Sequence, residues 1–92
     1  MRKPCVAGNW KMHKTVAESL TLVKELIPGL ENYPAVESVV CPPFTALAKA
    51  AELLEGTDIS LGAQDLYWEA EGAFTGEISP LMVAELAEHV II

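Results

Sequence analysis

Ninety-two residues, 51% of them apolar and 21% charged, suit one small cored domain that buries roughly 60–65% of its unfolded surface, and they exclude a disordered chain. A formal net charge of −7 makes a poor nucleic-acid binder. No apolar run approaches the ~20 residues of a membrane span and the basic start "MRK" leads into no signal-peptide core, so a soluble, cytoplasmic chain with no membrane partner is expected.

Two cysteines, Cys5 and Cys41, lie in apolar runs and read as small buried hydrophobes, not as a disulfide or metal framework. Charge is unevenly spread. Residues 1–14 hold Arg2, Lys3, Lys11 and Lys14 with no acid, whereas the other 78 residues carry two bases against thirteen acids. An anion would have to be bound by a few local donors against the global field, which singles out Lys11.

In chain order, "PCVAGN" is a short β-leaning run ending at a glycine, followed by the polar pair Asn9 and Lys11 around Trp10. Thr15 and Glu18 form a capping-box pattern. Val16, Leu20, Val23, Ile27 and Leu30 then recur as one helical face. "IPG" is expected to close that helix, with Pro28 disfavouring helix at Ile27 and Gly29 as the stop. "VESVVC" is a second strand ended by Pro42-Pro43, and "TALAKAAELLEG" a second helix with Gly56 as C-terminal cap. "DISLGAQ" is a third strand. Residues 65–78 show no periodicity, and a joint of that length tends to be functional. "SPLMVAELAEH" is a third helix with Ser79 as cap and Pro80 at its first position. His89 is expected at its C-terminus, meeting the last carbonyls. "VII" begins a fourth strand, which the chain end is expected to cut.

The order β-α-β-α-β-α-β with mostly apolar strands implies a parallel sheet covered by helices, in either a doubly wound sheet or a (β/α)8 barrel. No G-x-G-x-x-G follows the first strand, which weighs against a dinucleotide fold. In both architectures ligands bind at the carboxyl ends of the strands, where Asn9 and Lys11 fall. An extended backbone through Trp10 would point their side chains to one side and turn Trp10 into apolar packing. A fixed positive charge beside an amide suits a small anionic substrate whose reaction develops negative charge on oxygen. His13 has no partner and reads as a surface residue. Ser-His-Asp sets, zinc spacings and phosphate-cradling glycine loops are absent from the sequence, so the residues alone stop at an anion-binding α/β chain.

"AGNWKMHKT", "VVCPPFTAL", "LGAQDLYWEAEGAFTGEISPLM" and "HVII" together resemble, in order and without gaps, the triosephosphate isomerase family. The resemblance implies the N-terminal part of a (β/α)8 TIM barrel, with 1–92 a single partial domain truncated within strand four. It also implies an isomerase that interconverts dihydroxyacetone phosphate and glyceraldehyde 3-phosphate through an enediolate, with no metal and no cofactor. Lys11 would hold the substrate and offset its charge, and Asn9 would orient it. "GAFTGEIS" resembles the loop that reaches into the partner of a homodimer: Thr75 would approach the neighbour's Asn9–Lys11 region, Phe74 and Gly76 would fit its socket, and Glu77 would meet an arginine of a later segment, with Gln64 at the interface base. Asp65 stands where an Asn is familiar. The family's catalytic His and base Glu match no residue here, so 1–92 alone is expected to be inactive. Another phosphosugar barrel enzyme, or an inactive module that self-associates or complements another fragment, are the competing readings.

Overall fold

The computed structural model describes residues 2–92. Four parallel strands, β1 (Cys5–Asn9), β2 (Glu37–Cys41), β3 (Ser60–Ala63) and β4 (His89–Val90), alternate with α1 (Val16–Leu30), α2 (Phe44–Leu54) and α3 (Pro80–Leu86). The sheet order is β1-β2-β3-β4, with Cys5 opposite Glu37, Val40 opposite Leu61 and Gly62 opposite His89. A doubly wound sheet reverses direction at a switch point. Strands that follow one another in sequence order, joined by crossovers of one hand, put every helix on one face, which is the barrel arrangement.

The helix-facing core joins Val40 of β2 and Leu61 and Ala63 of β3 to Leu47, Ala50 and Leu54 of α2, Val23 of α1 and Val83 of α3. Leu47 is completely buried, and its loss to Ala at such a site costs about 2–5 kcal/mol. The other sheet face is formed by Val39, Cys41 and Gly62. A Cβ built on Gly62 would stand 2.7 Å from the Cys41 Sγ, so this strand position admits no side chain.

The first helix starts where the capping box places it. Thr15 Oγ1 accepts from the Glu18 N–H at 3.3 Å, and Glu18 Oε1 accepts from the Thr15 N–H at 2.9 Å. Its end differs from expectation: the helix runs through Pro28 and Gly29 to Leu30. Ile27 and Leu30 pack against the core, and that burial outweighs the lost proline donor in the final turn. Glu31, Asn32 and Tyr33 then unwind, with N–H groups donating to Ile27, Gly29 and Leu30.

Two further expectations are corrected. The whole of β1 is exposed, with Val6 at 62% and Cys5 open to solvent, because β1 pairs only with β2 and lies at the sheet edge. Cys41, on the inner strand, is buried as expected. The third helix ends at Leu86, since Ala87 is already extended and the Glu88 N–H donates to Leu61 O at 3.0 Å. His89 therefore belongs to β4 and not to a helix terminus. Its Nε2 lies 3.1 Å from Glu37 Oε2, which also accepts from Ser60 Oγ at 3.4 Å. One polar contact thus spans β2, β3 and β4 on the face opposite the helices.

Candidate active site

The carboxyl ends of β1, β2 and β3 are tied together by one side chain. Gln64, directly after β3, donates from Nε2 to Lys11 O at 3.0 Å and to Cys41 O at 2.8 Å. The Cys41 carbonyl also accepts the Trp10 N–H at 3.1 Å, extending the β1–β2 pairing one residue beyond the strand. Trp10 packs against the hydrophobic core, as its position predicts, and anchors the segment.

Lys11 departs from the extended geometry expected of it. Its φ is +55°, in the left-handed region that costs a residue with a Cβ about 1–3 kcal/mol unless its surroundings impose it. Two contacts impose it here. Asn9 Oδ1 accepts the Lys11 N–H at 2.9 Å, an Asn turn onto the backbone two residues on, and Gln64 holds the Lys11 carbonyl. The shared side of a strand therefore does not unite Asn9 with Lys11; an Asn9-capped turn does. Lys14 also has positive φ, 79°, so the joint between β1 and α1 turns twice before Thr15 caps the helix.

Lys11 is exposed and in no ion pair among the described residues. It borders an open hollow with Pro43 from the joint after β2, Phe44 at the start of α2, and Gln64, Asp65 and Gly76 from the joint after β3. Residues that follow three consecutive strands thus meet at the strand ends around the exposed Lys11. The Asp65 carboxylate on the same rim partly offsets the positive field. His13 is exposed, as expected, and among the described residues no group of three His, Cys, Asp or Glu converges as a metal site.

The sequence profile described as triosephosphate isomerase matches residues 4–92. The chain belongs to the triosephosphate isomerase family. It is 53% identical over 92 residues to the triosephosphate isomerase of Chloroflexus aurantiacus and 55% identical over 93 residues to that of Clostridium tetani. Both alignments take in 100% of this chain but only 37% and 36% of the respective relatives. Among solved structures, a triosephosphate isomerase crystal structure from Bartonella henselae superposes with a TM-score of 0.91 at 39% identity, over 99% of this chain and 38% of that one. The chain therefore spans somewhat over a third of the length of these triosephosphate isomerases. Its fold is the N-terminal part of their (β/α)8 barrel.

Residues 65–78 form no helix or strand, as the lack of periodicity predicts, but they are internally braced. The Tyr67 N–H donates to Ile78 O, closing the base. The Tyr67 and Phe74 rings pack in a tilted arrangement, with centroids 4.6 Å apart and planes at 43°. At the tip, the Glu77 N–H donates to Phe74 O at 3.0 Å and Gly76 has φ +90°. That places Thr75 and Gly76 at the corners of a β-turn of the type that needs positive φ at its third residue. Phe74, Thr75, Gly76 and Glu77 are all exposed.

Sequence reasoning placed Asn9 and Lys11 at the strand ends, and missed how they are held there. It assigned Gln64 only to an interface base, whereas its side chain bridges two backbone carbonyls. The available signal was an amide immediately after an apolar strand, at the end where neighbouring strands leave carbonyls without partners.

Proposed function

We propose that this chain is the N-terminal part, one partial domain over 1–92, of a cytoplasmic triosephosphate isomerase of glycolysis and gluconeogenesis. The complete barrel interconverts dihydroxyacetone phosphate and D-glyceraldehyde 3-phosphate through an enediolate. The observation that carries the reading is Lys11, held in a left-handed turn by Asn9 and Gln64 at the strand carboxyl ends. Strain fixed in this way pre-orients a side chain. A lysine ammonium set there binds the substrate phosphate and meets negative charge as it develops on the substrate oxygen, in a position that needs no reorganisation during the reaction. Asn9 uses its oxygen on the Lys11 backbone and keeps its NH2 to orient substrate. The residues that move the carbon-bound proton lie outside this chain.

The braced loop supports the second half of the reading, a homodimer. Its exposed turn at Phe74–Glu77 is rigid enough to enter a socket on a partner subunit, with Thr75 directed to the partner's Asn9–Lys11 region and Gln64 at the interface base. Joining residues 1–92 to the remaining segment of a relative's barrel tests both halves. The expected product is a dimer with isomerase activity lost on Lys11→Met. An inactive, well-folded hybrid, or one indifferent to Lys11→Met, would overturn the assignment.

A further inference from the structure

Lys11 keeps its left-handed turn only while the peptide planes on both sides of its Cα are fixed, and each plane is held by a different side chain. The plane before it is held by Asn9, whose Oδ1 accepts the Lys11 N–H at 2.9 Å. The plane after it is held by Gln64, whose Nε2 donates to the Lys11 carbonyl at 3.0 Å. Among the described residues no backbone N–H reaches that carbonyl. Gln64 is itself well anchored. The peptide leading into it is pinned to the neighbouring strand, since the Ala63 carbonyl accepts the Ile91 N–H at 2.9 Å. Its Nε2 also donates to Cys41 O at 2.8 Å. Two carbonyl acceptors demand two donors on one atom, which a glutamine amide supplies and a carboxylate lacks.

We infer that Gln64 is a positioning residue for the proposed reaction, acting on substrate only through the Lys11 backbone; the inference rests on the isomerase reading of Lys11. A left-handed lysine is disfavoured roughly five- to 150-fold against its ordinary conformations unless its surroundings impose it. With Asn9 alone, the plane after Lys11 is free to turn, and the ammonium is correctly placed for only a fraction of the time. The apparent affinity for substrate and transition state falls by that fraction. Gln64 thus works within its own subunit, so that β3 and β4 set the geometry of a lysine carried beyond β1. That task is separate from the interface position that the loop resemblance implies for it.

The test is a double-substitution cycle in the complete barrel that contains this chain, read by steady-state kinetics on glyceraldehyde 3-phosphate and by thermal melting. Gln64→Met keeps the length of the side chain and removes both donors. Its kcat/KM is expected to fall about tenfold in the parent and no further in the Lys11→Met background, because nothing is left to position once the ammonium is gone. Any loss of Tm should be the same in both backgrounds, which separates positioning from stability. Gln64→Glu runs through the same cycle and decides the matter where Gln64→Met does not fold. A protonated carboxyl donates to one carbonyl and an ionised one to neither. Its loss relative to the parent should therefore grow as pH rises, and should again vanish without Lys11. Equal factors of loss with and without Lys11, or folded Gln64 variants that turn over like the parent, would overturn the inference and leave the isomerase reading intact. A barrel indifferent to Lys11→Met would remove both.

Discussion

The role proposed for Lys11 depends on its backbone. Its ammonium would serve a substrate only if the side chain left the strand end in a fixed direction, and its positive φ is held by Asn9 and Gln64. In the complete barrel, Lys11→Met keeps the length of the side chain and removes its charge. The expected loss is roughly 10²–10³ in kcat, that of a single electrostatic contact to a developing oxyanion, together with weaker substrate binding. Steady-state kinetics within threefold of the parent would contradict the role. The cysteines give a second residue-scale expectation. Burial, with a smaller push from Cys5, raises the Cys41 thiol above its ordinary range, while Cys5 is exposed. In the 92-residue chain iodoacetamide should label Cys5 first and Cys41 only on unfolding. Because the Cys41 thiol titrates higher folded than unfolded, its contribution to stability is complete below the ordinary thiol range and is lost as pH rises from there through the raised folded value. Mass spectrometry showing equal labelling rates in folded protein would refute this assignment of burial.

At the scale of elements, the start of α1 depends on an ionised acid. The Thr15 N–H, and then the Thr15 hydroxyl, hold the Glu18 carboxyl below the usual carboxylate range, with Lys14 adding a weaker pull. A carboxyl lowered in the folded state stabilises above its unfolded pKa, and that support disappears as pH falls through the folded value. Thr15→Ala should lower Tm by a few degrees at neutral pH, and its effect should shrink on acidification, because the part that comes from the hydroxyl's pull on the Glu18 carboxylate is lost once that carboxyl is protonated. Circular-dichroism melts between neutral and acid pH check this, and a constant difference would contradict it. Elements announced by local chemistry were legible in the sequence: the capping box at Thr15, the Ser79–Pro80 start of α3 and the positive-φ Gly56 after α2. Elements decided by distant contacts were not. Core contacts at Ile27 and Leu30 carried α1 past Pro28, and pairing to Leu61 ended α3 early and brought His89 into β4. The site divides in the same way. Asn9 and Lys11 were visible because polar residues end an apolar strand, whereas the Gln64 bridge joins three strands that only the fold brings together.

Across the whole molecule, the described sheet has two free edges and one uncovered face. β1 pairs on one side only and is exposed throughout, which invites pairing with other chains. The net charge of −7 opposes association, but repulsion between exposed charges decays over a Debye length of about 8 Å at physiological salt, while edge pairing and apolar burial act at contact. A polypeptide of residues 1–92 alone is therefore expected to be oligomeric or molten, to associate more as salt rises, and to show no isomerase turnover, because the family resemblance assigns the base that removes the carbon-bound proton to none of its residues. Sedimentation as a single monomer at tens of micromolar with sharp, dispersed amide resonances would contradict the first expectation. Turnover of glyceraldehyde 3-phosphate above buffer would contradict the second.

The close approach of Gly62 to Cys41 also limits the order in which this chain can change by mutation. The sulfur occupies the space that a Cβ at 62 would need, so Gly62→Ala should destabilise the fold when made first and be tolerated better after Cys41→Ala has cleared the site. Thermal melts of the two single variants and the double variant would reveal the coupling as non-additivity; additive losses would deny it. One mutational path between the same two end points is then open and the other passes through a damaged intermediate, so the two positions should change in a fixed order during descent.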